Sequence, residues 1–175
     1  DSIKSRYDNW QELLDYCDRS AAPVGRYLLD IHGEDKENYV FSDALCNALQ
    51  VINHLQDCGD DRADLNRIYL PQDWMAADST SDADLDKKAL TSGLREVVDR
   101  CLDGTETLLK DAVLLPGALK SRRLAAESAV IVRIALKLTQ HLRHRDPLAE
   151  RVELKKHEFL WCGLLGLMGS LFGRY

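Results

Sequence analysis

The sequence predicts an all-α protein. Five stretches carry apolar residues at three- and four-residue spacing, none reads as a strand, and Pro or Gly punctuates the ends of those stretches. A chain of 175 residues can bury one real core, so a single domain over residues 1–175 is expected. Helices packed around a central space are the simplest architecture for that pattern. No internal repeat interrupts it.

The first predicted helix runs from about Asn9 to Ile31, with Leu13, Leu14, Cys17, Ala21, Val24, Leu28 and Ile31 as its stripe. Pro23 should kink or break it, and Gly33 is a natural stop. The second starts at Ser42, a good N-cap, and reaches about Cys58, with Gly59 as a breaker. A polar connection follows, in which Pro71 forbids regular helix. Its "AADSTSDADLD" is small and acidic and reads as a mobile loop. The third helix is expected from Leu85 to Leu115, ended by Pro116-Gly117. The fourth runs from Leu119 to Arg143, striped by Leu124, Ala125, Ser128, Ile131, Val132, Ala135, Leu138 and Leu142, with Pro147 closing it. The last, "FLWCGLLGLMGSLFG", is apolar on nearly all sides and too short to span a bilayer. Burial is the expectation, with a membrane interface as the alternative.

Bulk properties narrow the function. Hydrophobic residues make up 45% and charged residues 30%, ordinary for a globular protein. A net charge of −6 argues against nucleic acid, whose phosphates want a basic face. Cys17, Cys46, Cys58, Cys101 and Cys162 are odd in number, widely spaced and without a CxxC. That pattern predicts no disulfide framework, a reducing, cytoplasmic compartment, and no structural zinc. His141 and His144 lack a nearby partner for metal and read as surface polarity.

The segment "ALQVINHLQDCGDD" stands out. An apolar helix ends in Asp57, Asp60 and Asp61, where the helix dipole disfavours anions. With Gln50 at zero on a helical wheel, Asn53 falls near about 300°, Asp57 near about 340° and Asp61 near about 20°. Asp60 lies off this line. Leu45, Ala48, Leu49, Ile52 and Leu55 fall opposite. No Lys or Arg lies between Glu37 and Asp61. Two readings meet these residues. One is a solvated helix face. The other is a hard-cation site, where two acids one turn apart, about 6 Å along the axis, join amide oxygens around Mg²⁺.

"ALQVINHLQDCGDDRADLNRIYLP" resembles the second aspartate-rich motif of the squalene and phytoene synthase family, the head-to-head prenyl synthases. Gln50, Asn53, Asp57, Asp61, Arg67, Tyr69, Leu70 and Pro71 stand in register. Upstream, "YCDRSAAPVGRYLL" is similar to the family's "YCxxxAxxVG" helix through Tyr16, Cys17, Ala21, Val24 and Gly25. "DPLAERVELKK" resembles the late basic segment more loosely. Within the family, "SAAPVGR" and "ALQVINHLQD" most resemble the bacterial hydroxysqualene synthases of hopanoid pathways.

The resemblance implies an isoprenoid-synthase-type helical bundle around a central cavity and a Mg²⁺-dependent enzyme acting on a prenyl diphosphate. It implies that Asn53, Asp57 and Asp61 hold Mg²⁺ and that Gln50 lines the diphosphate pocket. Arg67 and Tyr69 would contact the diphosphate or orient the leaving group. Tyr16 would face the carbocation, with its ring as the stabilising surface and its phenol able to accept a proton. Ser20, Ala21, Val24 and Gly25 would line the isoprenoid tunnel, and Arg151 and Lys155 would make late diphosphate contacts. Peripheral contact with the inner face of the membrane follows from a greasy substrate.

The family carries two facing aspartate-rich motifs, and this sequence has only the second. Asp82/Asp86 and Asp99/Asp103 share the spacing without the neighbours. The expectation is that the N-terminal helices lie upstream of Asp1, that the chain holds about two thirds of the domain, and that alone it turns over little substrate. Asn66 stands where many relatives have Gly and should alter only a loop turn. Two rivals to the hydroxysqualene reading remain: a synthase condensing two prenyl diphosphates to squalene or phytoene, and a non-catalytic scaffold relative.

Overall fold

The structure is a computed structural model describing residues 4–172, with side chains to position 166. Nine α-helices lie among the described residues. They are α1 (Trp10–Ser20), α2 (Ala22–Ile31), α3 (Tyr39–Gln56), α4 (Cys58–Leu65), α5 (Gln72–Ala77), α6 (Ser92–Ala112), α7 (Leu115–Ala118), α8 (Arg122–His144) and α9 (Lys156–Phe172). The predicted class holds. The extended residues 5–8 and 67–72 lie side by side, with Ile68 N–H donating to Ser5 O at 2.9 Å and Gln72 N–H to Tyr7 O at 2.9 Å.

Several boundaries differ from expectation for local reasons. The first helix breaks at Ala21, not Pro23, because Pro lacks an N–H and suits the first turn of a new helix, which is where α2 places it. Gly33 does stop α2, at φ +68. Ser42 is not a cap: a 3₁₀ turn at Lys36–Asn38 runs straight into α3, and Ser42 is buried three residues inside. The "AADSTSDADLD" stretch is ordered. Its Ser81 and Asp84 form a reciprocal capping box, and Thr80 donates a 2.9 Å hydrogen bond to Asp84. α6 starts later than predicted, where the Thr91 side chain accepts from Leu94 N–H, and it ends at Ala112, with Pro116-Gly117 inside the short α7. α8 starts at Arg122 because Ser121 caps it. Glu34 fixes that start, accepting from the N–H groups of Lys120 and Ser121 at 2.8 and 2.7 Å.

α3 is the central element. Leu45, Ala48, Val51, Ile52 and Leu55 join Leu94, Val97, Val98, Cys101 and Leu102 of α6 in one core, flanked by α1, α2 and α8. Fully burying each such aliphatic side chain contributes about 1.5–3 kcal/mol, so this pairing outweighs the exposed ion pairs, worth about 0–1 kcal/mol each. All five cysteines are free thiols. Burial pushes Cys17 and Cys58 up to about 12, which leaves them inert.

Two predictions about polarity and burial are corrected. His141 is no surface group; it reaches Glu158 of α9 at 3.0 Å, tying α8 to α9. α9 is not buried all round. Cys162 faces inward, but Phe159, Leu160, Trp161 and Leu164 are exposed. The apolar stretch beyond Gly166 lies outside the residues whose side chains are described.

At Gly25 an added Cβ would run into Ser42 Oγ and come within 2.7 Å of Cys46 Sγ on α3. Gly25→Val should therefore destabilise the protein by about 1–3 kcal/mol through overpacking. For a protein of this size that lowers the melting midpoint by about 2–4 °C per kcal/mol, measurable by thermal denaturation.

Candidate active site

The acidic line is built across a break. α3 ends at Gln56, Asp57 sits between helices at φ −101 and ψ 10, and α4 starts at Cys58. The predicted continuous helix to Cys58 therefore stops short, yet the one-turn backbone spacing survives. Asp57 N–H donates to Asn53 O at 2.9 Å, and Asp61 N–H donates to Asp57 O at 2.8 Å. Asn53, Asp57 and Asp61 thus follow one another on successive turns. The break also resolves the dipole conflict. Asp60 and Asp61 lie in the first turn of α4, where a helix N-terminus favours anions.

Asn66 closes α4 in the left-handed conformation, φ 50, which Asn tolerates better than most residues. Arg67 N–H then bonds Asp61 O at 3.0 Å. This turn lays the "RIYLP" strip beside α1 and α3. Arg6 supports it, donating to Asn66 O at 2.6 Å and to Asp82 at 2.9 Å.

Four rings from four elements meet beside the acids. Tyr69 stacks on His54 of α3, with centroids 3.5 Å apart and planes within 8°. Tyr16 of α1 lies 5.7 Å from Tyr69 and 5.9 Å from His54, and Tyr7 lies 5.2 Å from Tyr16 and 5.6 Å from Tyr69. Burial pushes both Tyr7 and Tyr16 up to about 12. Both stay protonated at neutral pH, so Tyr16 offers a ring face and a neutral hydroxyl rather than a phenolate base. Burial pushes His54 down to about 4, so its imidazole is neutral. Of the four clustered rings, the sequence singled out Tyr16 and Tyr69 but not Tyr7 and His54. His54 carried one signal, a place on the wheel at about 40° from Gln50, the edge of the amide–acid line.

The other predicted residues divide between places. Ser20, Ala21, Val24, Gln50 and Asn53 line one concavity of about 590 Å³, walled by Cys46, Leu49, Ile52, Gln56 and Leu138. Gly25 is not on its wall; it is buried against α3, where its missing side chain lets the helices close. Asp57 and Arg151 line a second, more polar concavity of about 430 Å³ beyond the break. Arg151 is exposed and pairs with Glu153 at 3.4 Å. Lys155 is exposed just before α9 and lines neither concavity. A third groove, of about 460 Å³ between α8 and α9, holds none of the predicted residues.

The donor chemistry fits a hard cation. Asn53 is exposed and Asp57 and Asp61 are half-buried, presenting one amide and two carboxylates, all oxygen donors. Burial, then the charge of Asp57, pushes Asp61 up, with Arg67 opposing. A cation relieves that repulsion. Among the described residues no group of three or more Asp, Glu, His or Cys is placed to hold a metal, so this line needs further oxygens, such as those of a diphosphate or water. The other DxxxD spacings are occupied elsewhere: Asp82 pairs with Arg6, Asp86 with Arg62, and Asp99 and Asp103 with Arg143.

With this geometry in hand, known proteins give a consistent comparison. Residues 1–158 match the squalene/phytoene synthase family. The chain is 45% identical to a hydroxysqualene synthase of Zymomonas mobilis over 168 residues, covering 96% of this chain and 57% of that protein. The structure of a squalene synthase from Alicyclobacillus acidocaldarius superposes with a TM-score of 0.74 at 34% identity, over 81% of this chain and 53% of the other. A dehydrosqualene synthase, at 18% identity, shares the fold with a TM-score of 0.80, over 97% of this chain and 60% of that one. The chain therefore spans little more than half the length of these relatives, and it belongs to the squalene/phytoene synthase family.

Proposed function

We propose that the chain carries one of the two metal- and diphosphate-binding motifs of a hydroxysqualene synthase, which converts presqualene diphosphate and water to hydroxysqualene and pyrophosphate. The observation that carries this reading is the Asn53–Asp57–Asp61 ladder beside the Tyr16–Tyr69 ring cluster. Similarity to the Zymomonas mobilis hydroxysqualene synthase supports the choice within the family.

Ionisation breaks the substrate's C–O bond and leaves pyrophosphate on one side and a carbocation on the other. Mg²⁺ held by Asn53, Asp57 and Asp61 would supply positive charge for the departing oxygens. Gln50 lines the same concavity as Asn53, and the amide hydrogen that it does not give to His54 would be available there. Arg67, beside Asp61, adds a permanent cation and bidentate geometry. Tyr69 keeps its ring against His54. Tyr16 would offer its ring to the developing positive charge. The oxygen of water then bonds to the cation, and its proton leaves to solvent or pyrophosphate. Ser20, Ala21 and Val24 keep side chains small along the concavity wall, leaving room for an isoprenoid tail. Arg151, which lines the same concavity as Asp57, is a candidate for the outer diphosphate oxygens, whereas Lys155 and Gly25 line neither concavity.

Incubating the full-length protein separately with presqualene diphosphate and with farnesyl diphosphate tests the assignment. Hydroxysqualene from presqualene diphosphate is the expected product. Squalene, or any product from farnesyl diphosphate alone, points to the condensing synthases. No consumption of any prenyl diphosphate, despite intact Asn53, Asp57 and Asp61, points to the scaffold relative.

The reading includes a place in the cell, the cytoplasm with peripheral contact at the inner face of the membrane. Among the described residues no helix is long and apolar enough to cross a bilayer. Leu160, Trp161 and Leu164 form an exposed stripe on α9, preceded by Lys155 and Lys156. Apolar residues beside cations suit an anionic lipid interface. The protein should co-float with vesicles containing anionic phospholipid more than with neutral ones. Replacing Leu160 and Trp161 with Gln should reduce binding roughly tenfold or more, since each buried apolar side chain contributes about 1.5–3 kcal/mol. Equal binding by the variant would remove α9 from the contact.

A further inference from the structure

His54 is a buried polar side chain in the middle of the site, only 5% exposed, and the proposed reaction leaves it without a role. Its imidazole meets three site residues at once. One face stacks on Tyr69. Nε2 lies 3.0 Å from the side-chain nitrogen of Gln50, one turn earlier on α3. Nδ1 has no hydrogen-bond partner, and it faces Asp61 Oδ2 at 3.8 Å across the α3–α4 break.

These contacts fix the tautomer. An amide nitrogen only donates, so His54 Nε2 accepts from Gln50 and carries no proton. The single ring proton is then on Nδ1, pointing at a carboxylate. The opposite amide orientation would place the proton on Nε2 and aim the bare Nδ1 lone pair at the Asp61 anion, a repulsive arrangement. At 3.8 Å the Nδ1–Asp61 pair is too long for a hydrogen bond, and a movement of under about 1 Å would make one. A buried N–H without an acceptor is costly. A closed Nδ1–H···Asp61 bond removes that cost.

We infer that His54 is a positioning residue that donates Nδ1–H to Asp61 as the carboxylate takes up its metal-binding position, linking Asp61 to the Gln50 amide and the Tyr69 ring. The inference rests on the reading of Asn53, Asp57 and Asp61 as metal ligands. A carboxylate that gives one oxygen to a cation is free to rotate unless its other oxygen is held. Outer hydrogen bonds of this kind set ligand orientation. Because Nε2 of the same ring accepts from Gln50, the diphosphate side and the metal side of the site share one rigid connector. A phenylalanine would fill the same space and stack on Tyr69, but it could hold neither partner.

Binding of Mn²⁺ to the full-length protein in the presence of pyrophosphate, followed by electron paramagnetic resonance, tests this without turnover. His54→Phe keeps the ring and the stack, and should weaken Mn²⁺ binding about 10–100-fold, the usual cost of losing such a partner, with an unchanged circular dichroism spectrum. His54→Asn, whose amide N–H falls near the place of Nδ1, should recover part of the loss. Unchanged Mn²⁺ affinity in His54→Phe overturns the inference while leaving the metal site standing. Absence of Mn²⁺ binding in the wild type overturns the metal reading beneath it. A second measurement needs no variant. Nitrogen-15 shifts of the wild-type ring should report the Nδ1–H tautomer, with that proton moving downfield on addition of Mg²⁺ and pyrophosphate. An Nε2–H tautomer contradicts the assignment.

Discussion

The break at Asp57 is the constraint on which the site depends. α3 is held in place by its apolar face against α6, and the chain must leave it without losing step. Backbone bonds on both sides of the break, Asp57 to Asn53 and Asp61 to Asp57, preserve the turn-by-turn order of three oxygen-bearing side chains. A straight helix would have set Asp60 and Asp61 against its negative end. The new helix sets them at a positive end instead. The same break turns the chain through Asn66 into the strip that delivers Arg67 and Tyr69 beside the acids.

Burial around this break is polar as well as apolar. Asn47 of α3 is buried and donates to Asp18 at 2.5 Å, and His54 is buried between Gln50 and Asp61. Polar groups inside a helix interface carry a desolvation cost that leucine would not. Here Asn47 links α3 to α1, which carries Tyr16, and His54 faces α4, which carries Asp61. Stability comes from the α3–α6 core, while the opposite flank of α3 carries the proposed site.

The helical class and the α3 stripe were legible because a 3.6-residue period leaves a direct mark on sequence. The amide–acid line was legible for the same reason, together with its lack of basic residues. Boundaries were less so. Pro23 marked a break, but where the break fell depended on Pro needing a first-turn position. Ser42 looked like a cap, and only the preceding 3₁₀ turn showed that the helix had already begun. Gly25 read as room for substrate, whereas the structure packs it against Ser42 and Cys46. α9, apolar all round, read as buried, yet among its described residues Cys162 faces inward while Phe159, Leu160, Trp161 and Leu164 are exposed. Tyr7 was missed because contacts among residues distant in sequence leave no periodic trace, and His54 because its place at the edge of the amide–acid line does not show that it stacks on Tyr69.

The central claim is that Asp57 and its neighbours form a metal-assisted diphosphate site. The most direct measurement compares the full-length protein with Asp57→Asn, a change that keeps size and one acceptor oxygen but removes the charge. Turnover of presqualene diphosphate should fall by about a hundredfold or more, as expected when charge stabilisation of a leaving group is lost, with the thermal midpoint unchanged. Retained turnover in a folded Asp57→Asn protein would contradict the account.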